Sequence, residues 1–434
     1  MTTQPPLPDI HSLWQETAAS RPAFDEMSSG HRFDVAIIGG GYTGLSTARY
    51  LARRGLSAVV LEASRIGWGA SGRNGGVVSG KFRLSFSDIA ARYGLDTARR
   101  MHDLGIEAID HVGELVEDYG IASAGFHPTG SLRCAHNQVS LDGLKKEVAW
   151  LHGTLGDRAC SILSPEEMEA ETGSRDFVGG MLNTHGGVIH PLNFVLGIAA
   201  GLKAAGIAIH EKAPVTAIRR DRNGVVLETP HGAVSAGQVV IATNSYSDLT
   251  PATSAVRKSI IPFRSAMIAT EPLTDSAYAS LLSQDRSYTE TRRMMRWFRR
   301  AGDRVIYGGR GAFGKTDSEG AFAALHKAMV RQFPELAAVS VTHRWSGLVA
   351  MTMDSIPHLG RLDDRVVYAV GYNGTGVAMA SNMGRYVAAM VAGENPDLGL
   401  LTRTPLKPVP LYPIREPVVR LVAGWYQFLD AIGR

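Results

Sequence analysis

The spacing of apolar and polar positions changes period several times along this chain, and each change predicts an element. Residues 35–38 (Val-Ala-Ile-Ile) are an uninterrupted apolar run, the pattern of a strand buried on both faces of a parallel sheet. From Leu45 the apolar positions switch to helical spacing through Ala48, Leu51 and Ala52, and Gly55 ends that helix. Residues 58–61 form the next apolar run, so the opening reads strand, turn, helix, strand. Two later stretches repeat this character. Residues 191–205 have helical spacing closed by Gly206, followed by strand-like runs at 207–209 and 213–218 and a buried strand over 239–244. Residues 366–370 then predict a strand and 377–392 a helix.

Between these returns the pattern differs. Residues 86–185 carry mostly helical spacing, as in Ile106, Ile109, Val112 and Val116, whereas 261–344 alternate as strands do. The predicted architecture is α/β: a discontinuous Rossmann-like domain over 30–85, 186–260 and 345–395, with an inserted α+β substrate domain over 86–185 and 261–344. Residues 1–29 read as an extended arm. Residues 396–416, punctuated by Pro396, Pro405, Pro408, Pro410 and Pro413, read as an extended surface crossing. In the C-terminal extension, 396–434, a last helix carries one apolar stripe of Val418, Leu421, Val422, Trp425, Phe428, Leu429 and Ile432. It either docks on the protein's own body or lies at a membrane surface as a peripheral contact.

The turns between these elements carry the chemistry. Gly39, Gly41 and Gly44 fill the G-x-G-x-x-G positions between the first strand and helix, with Tyr42 and Thr43 at the helix start. The first glycine permits the tight turn, the second lets a pyrophosphate approach the backbone, and the third lets helix and strand pack closely. The helix N-terminus adds free N–H groups and a positive dipole. Glu62, followed by Ala63, ends the second strand where a carboxylate accepts from a ribose hydroxyl and repels a 2′-phosphate, which disfavours NADP. A second glycine-rich loop follows at once over 69–76, with Ser71, Arg73, Asn74, Gly75 and Gly76. A nicotinamide cofactor has no use for it, whereas the longer FAD needs a second backbone segment along its ribityl chain and ring. A third glycine loop, with Gly371, Asn373, Gly374, Thr375 and Gly376, repeats the strand, turn, helix arrangement near the C-terminus.

With these motifs the chain resembles the FAD-dependent D-amino-acid oxidase (DAO) superfamily, the group that contains glycine and sarcosine oxidases. Within it, it is most similar to the γ-glutamylputrescine oxidases. The likeness rests on GGGYTGLS at 39–46, LEASRIGWGASGRNGG at 61–76, His-Pro-Leu-Asn at 190–193 and Ala-Gly-Trp-Tyr at 423–426, and it covers nearly the whole chain. The resemblance implies an FAD-binding domain of the glutathione-reductase type, with the backbone at Val215 on the adenine edge. It places the helix after the third loop toward the flavin N1–C2 carbonyl region, where reduction accumulates negative charge. The implied activity is oxidation of an amine C–N bond by hydride transfer to the flavin, then hydrolysis of the imine to an aldehyde and reoxidation by O2 giving H2O2. A γ-glutamylated polyamine or a related amine or amino acid is the implied substrate, in polyamine catabolism. The alternative is an amino-acid or opine-type secondary-amine dehydrogenase passing electrons to a quinone or carrier. A non-catalytic flavoprotein subunit is a third reading.

Several positions depart from the sarcosine branch of that superfamily. Ala378 stands where the branch has a carboxylate-gripping lysine, and Lys81 and Arg83 are the nearest counterparts of its arginine after the second loop. No cysteine lies in 347–360, where that branch links its flavin, so FAD is expected to bind non-covalently. Catalytic residues are not legible; His190, Trp345 and Met353 are pocket candidates, each open to a plain packing or capping role. The cluster Arg292, Arg293, Arg296, Arg299 and Arg300 is either an anionic-substrate entrance or a solvated face.

Bulk properties narrow the rest. At 434 residues, 44% apolar and 20% charged, the chain suits a two-domain globular enzyme. A dispersed net charge of +4 implies no nucleic-acid partner. Two separated cysteines, Cys134 and Cys160, no signal peptide and no run of ~18 apolar residues suggest a cytoplasmic protein without a transmembrane segment. No metal is expected, because the 14 histidines include no H-E-x-x-H or H-x-H spacing.

Overall fold

The computed structural model describes residues 10–27, 30–273, 278–312, 319–415, 417–418, 421 and 424–425. Their strands build two eight-stranded sheets and one two-stranded sheet. The first large sheet carries the central order His358–Arg361, Val366–Val370, Gly232–Ile241, Arg32–Ile38, Ala58–Leu61 and Ala208–His210. All of these neighbours pair in parallel except the antiparallel edge strand His358–Arg361. The strands are apolar throughout because both faces are covered, yet alternation persists. Val35, Ile37, Val60 and Val240 point into a core shared with four helices, Tyr42–Ala52, Leu95–Asp118, Pro191–Ala204 and Gly376–Val391. Ala36, Ile38, Val59 and Val239 point into a second core with Leu227 and Val234, from the antiparallel strands Val225–Thr229 and Gly232–Ile241.

The other large sheet runs Val341–Met351, Ile261–Thr270, Arg304–Ala312, Arg296–Ala301, Ser287–Glu290, Ser131–Ala135, Gly179–Asn183 and Cys160–Leu163. One face carries Tyr288, Phe298, Tyr307 and Ile268, which pack under the helix Glu319–Gln332 with Phe322, Leu325 and Met329. Register places Arg133, Thr289, Trp297, Gly308, Met267 and Trp345 in a row across the six strands that carry them, on the opposite face. That face looks toward the first sheet.

The packing redraws several expected boundaries. The helix Leu95–Asp118 buries Ala98, Met101, Leu104, Ala108 and Val112 in the same core as Leu45 and Val387, so it belongs with the nucleotide-binding layer and not with the cap. Its Gly105 crosses Gly80 so closely that a Cβ on Gly105 would lie 2.3 Å from the Gly80 carbonyl oxygen. In the other direction, the strand Val341–Met351 carries residues 345–351 into the cap sheet. The stretch 86–185 contains three strands as well as helices, and the strand-rich stretch after 261 contains Glu319–Gln332. The arm is not simply extended, because Leu13–Glu16 forms one helical turn with Leu13 and Trp14 buried. Leu398, Leu400 and Leu401 are likewise buried within the supposed surface crossing. Of the last helix's stripe, Val418, Leu421 and Trp425 are exposed, while Val422, Phe428, Leu429 and Ile432 lie outside the described residues, and with them the choice between docking and membrane contact. Among the described residues no helix is long and apolar enough to cross a membrane.

Candidate active site

The glycine turns fold as their spacing requires. Gly39 has φ +108°, and a Cβ there would lie 2.9 Å from the Ala242 carbonyl oxygen. Gly44 has no room at all, since its Cβ would meet the Gly39 carbonyl oxygen at 1.9 Å. The turn therefore closes tightly and aims the first turn of Tyr42–Ala52 outward, with no cap from Gly41 itself and with Ser71 of the second loop on the Tyr42 N–H. Gly41 faces Ser71, whose Oγ accepts from the Tyr42 N–H at 3.1 Å and would stand 2.9 Å from a Cβ on Gly41.

Glu62 sits at the end of its strand with both carboxylate oxygens engaged. Gly40 N–H donates to one at 2.8 Å and Ser64 N–H to the other at 2.9 Å. Burial raises the Glu62 carboxyl above its ordinary range, and the Ser64 and Gly40 hydrogen bonds oppose that rise.

The second glycine loop is held from three sides. Asn74 accepts from the Gly76 N–H at 2.8 Å and donates to the carbonyls of Ala70 and Ser71. The Arg73 guanidinium lies 4.3 Å from the centre of the Trp68 ring, and the Trp345 indole N–H donates to the Arg73 carbonyl at 3.0 Å. From the cap, buried Arg299 donates to the Gly75 carbonyl at 2.8 Å and the Ile189 carbonyl at 2.9 Å. Burial lowers the Arg299 pKa to about 10, which leaves it charged at neutral pH.

The third loop joins the first through Thr43 Oγ1 and the Tyr372 hydroxyl, 2.6 Å apart. Asn373, at φ +54°, accepts from the Thr352 N–H at 3.0 Å, and Gly371 N–H donates to Asn244 at 2.9 Å. Asn373 thus sets the loop's shape with its side chain. The helix Gly376–Val391 begins without a side-chain cap, so its first turn also presents free N–H groups.

A cavity of about 500 Å³ runs between these loops and the cap sheet. Of the residues named from the sequence, Gly39, Gly41, Tyr42, Thr43, Glu62, Ala63, Ser71, Arg73, Asn74, Gly75, Val215, Asn373, Gly374, Thr375 and Gly376 line it. Gly44, Gly76 and Gly371 sit behind the wall as turn-makers. The three pocket candidates are corrected, since none of them lines the cavity. His190 caps Pro191–Ala204, its Nδ1 accepting from the Asn193 N–H at 3.1 Å, and burial pushes its pKa down to about 4. Trp345 is fully buried behind Arg73, and Met353 is 60% exposed. The arginine cluster is not a solvated face. Arg292 and Arg293 line the cavity, and Arg299 is buried beneath the second loop. Lys81 and Arg83 both reach the cavity wall.

Arg133, Phe263, Met267, Thr289 and Trp297 form cap-side wall that the sequence did not single out. Each alternates with core residues in an ordinary strand pattern, so nothing local separates a cavity-facing position from a solvent-facing one. Among the described residues, His11, Glu16 and His343 are the one group of three side chains able to ligate a metal that lie together. Arg304 lies 3.4 Å from Glu16 there, and its charge opposes a cation.

The wall has the chemistry of an elongated dinucleotide site. It combines a helix N-terminus suited to a pyrophosphate, a buried carboxylate beside it, a backbone-lined second loop, and an uncapped helix end at the far side. Residues 34–390 match the family described as FAD dependent oxidoreductase. The chain is 31% identical to the γ-glutamylputrescine oxidoreductase of Escherichia coli over 425 residues, 97% of this chain and 98% of that one. It is 32% identical to the probable oxidoreductase OrdL of Rhizobium meliloti, over 99% of this chain and all of that one. Among solved structures, glycine oxidase from Geobacillus kaustophilus shares the fold at a TM-score of 0.71 and 23% identity, covering 87% of this chain and 100% of that one. Nucleotide-site geometry and near-full-length similarity agree, and the chain belongs to the FAD dependent oxidoreductase (DAO) family, as an enzyme that uses FAD to oxidise amines or amino acids.

Proposed function

We propose that this enzyme oxidises the C–N bond of a γ-glutamylated or similarly acylated aliphatic amine, with O2 as electron acceptor and an aldehyde and H2O2 as products. The observation that carries the substrate class is the near-full-length similarity to a γ-glutamylputrescine oxidoreductase. The sequence supports it, because Ala378, fully buried outside the cavity lining, stands where a sarcosine-type carboxylate clamp would have its lysine.

Bound FAD supplies the two-electron oxidation of the C–N bond, leaving an imine for water to hydrolyse. The chain's own residues hold and orient. The first-turn N–H groups of the helix Tyr42–Ala52 beyond Tyr42 would receive the pyrophosphate, with Gly39 and Gly41 clearing its approach. Glu62 accepts from the ribose, and the backbone of Val215 borders the adenine. Ser71, Arg73, Asn74 and Gly75 would line the ribityl chain and one edge of the ring, with Gly76 shaping the loop from behind. The first turn of Gly376–Val391, set by Gly371, Asn373, Gly374 and Thr375, places its positive end where negative charge develops, worth about 1–2 kcal/mol in a partly buried site. Trp297 and Met267 roof the site over Gly75, a Cβ on which would meet the Trp297 indole nitrogen at 3.1 Å. They exclude bulk water from that wall.

The test is an anaerobic titration of the purified yellow protein with γ-glutamylputrescine. Bleaching of the flavin band, then recolouring in air with one H2O2 per amine, is the expected result. Recolouring only with a quinone would replace the oxidase by a dehydrogenase, and a flavin that no amine bleaches would overturn the reading.

A further inference from the structure

One cation in the cavity wall has no hydrogen-bond or ion-pair partner among the described residues. Arg133 lies in the strand Ser131–Ala135 between Leu132 and Cys134, both fully buried in the cap core. Period-2 alternation turns Arg133 to the other face, where it lines the cavity and exposes its side chain to it. Among the described residues its guanidinium makes no hydrogen bond and no ion pair. The acid that attracts it is Glu147, whose carboxylate already accepts from the Phe86 N–H at 3.1 Å and from the Ser87 hydroxyl. The surrounding protein lowers the Arg133 pKa through desolvation, but a guanidinium stays charged.

Its neighbours are committed. Arg292 pairs with Glu290 at 2.9 Å and with Asp176 at 3.4 Å, and Arg299 holds the second glycine loop. Lys81, Arg83 and Arg293 are engaged by other groups of the protein. A guanidinium that faces the cavity with five donors and, among the described residues, no protein acceptor is an incomplete site, and the group that completes it best is a carboxylate held by two parallel hydrogen bonds.

The strand register adds a length. Arg133 pairs with Thr289, and Thr289 with Trp297, so Arg133 stands two strands from the tryptophan that abuts Gly75. At the usual inter-strand spacing that is roughly 10 Å. An α-amino acid holds its amine carbon and carboxylate one bond apart and cannot reach both places. An extended chain advances about 1.2 Å per bond, so the two groups must be separated by roughly eight bonds.

We propose that Arg133 binds a carboxylate at the end of the substrate remote from the oxidised amine, and so selects long amines that carry a distal carboxylate over simple amines and α-amino acids. This rests on the amine-oxidation reading for which end reacts; the carboxylate site itself does not.

The experiment compares wild-type holoenzyme with Arg133→Met and Arg133→Lys. Neither variant removes a protein hydrogen bond, so both should retain FAD and the wild-type Tm. Rapid anaerobic flavin reduction is followed with γ-glutamylputrescine and with N-acetylputrescine, which lacks the carboxylate. Arg133→Met should weaken apparent binding of γ-glutamylputrescine by about 30-fold or more, with a much smaller fall in the limiting reduction rate. Arg133→Lys should lie between, and binding of N-acetylputrescine should change less than about threefold. Equal weakening for both amines, or none for either, would overturn the proposal. Glutarate, which cannot be oxidised as an amine, separates the two ideas: it should perturb the wild-type flavin spectrum and bind about tenfold more weakly to Arg133→Met. If no amine reduces the wild-type flavin but glutarate behaves in this way, the carboxylate site stands and the amine reading falls. Identical glutarate binding by wild type and Arg133→Met would overturn the site.

Discussion

Single residues carry the nucleotide site, and they do so through what they lack. Within 4 Å of its missing Cβ Gly41 has only Ser71, through Oγ at 2.9 Å and Cβ at 3.9 Å, and that gap is where the proposed site would pass a pyrophosphate. Gly41→Val should therefore fill the passage and weaken FAD binding by at least about tenfold, the cost of overpacking a closed wall. A purified variant that is colourless and lacks the flavin absorption band is the expected outcome, and a yellow one with normal FAD content would count against the assignment. This level was legible in the sequence because a positive φ or a close approach is demanded of one residue at a time. His190 was legible for the same reason, since a side chain one residue before a proline-started helix is placed to cap it, and that is what it does. Trp345 and Met353 were not legible, because their positions depend on where one strand edge falls relative to another.

Among the elements, the N-terminal arm shows how packing changes a reading. Trp14 is buried against His190 and Trp345, with ring centres 4.8 and 6.3 Å away, and its indole N–H donates to the Asn74 carbonyl at 2.8 Å. The Arg299 guanidinium lies 5.3 Å from the centre of the Trp14 ring. The arm thus clips the second glycine loop from outside while Arg299 holds it from the cap. Trp14→Ala should cost about 3–5 kcal/mol of local packing and loosen this loop. Faster FAD release on dilution, read by flavin fluorescence, together with a lower Tm, is the outcome expected. Unchanged FAD retention would show that Arg299 and Asn74 suffice. The helix pair Tyr42–Ala52 and Gly376–Val391 is fixed more firmly, since a Cβ on Gly384 would lie 2.5 Å from both Ser46 Cβ and Thr47 N. This contact joins residues more than 300 positions apart, and no local pattern announces it.

Two buried imidazoles make the fold sensitive to acid, and the carboxyls of Glu62, Glu171 and Glu290, raised by burial, act in the opposite direction. His111, enclosed between Tyr50 and Ser46, and His190 are both pushed down from 6.5 to about 4, chiefly by burial. Between those values the unfolded chain holds protons that the folded chain refuses, so stability is full above pH 6.5 and falls as pH drops toward 4. The two histidines together contribute at most about 2.7 kcal/mol per pH unit to that slope, before the opposing carboxyls are counted. Urea unfolding at a series of pH values between 4.5 and 7.5 would show it, and a flat profile would mean that the native state already accepts these protons or that the carboxyls offset them. At this scale the sequence by itself determined the nucleotide-binding half: its parallel strands, its three glycine turns and hence its cofactor. Those features follow from apolar runs and from single-residue backbone demands, which are local. Tertiary structure alone decided the other half. Whether Leu95–Asp118 serves the nucleotide layer or the cap, and whether Arg133 faces bulk solvent or the cavity, depends on strand register and helix contacts between segments far apart in the chain. Alternation along a strand specifies two faces but not what each one meets, and only the closing of the cap sheet over the glycine loops gives Arg133 and Trp297 a cavity to face.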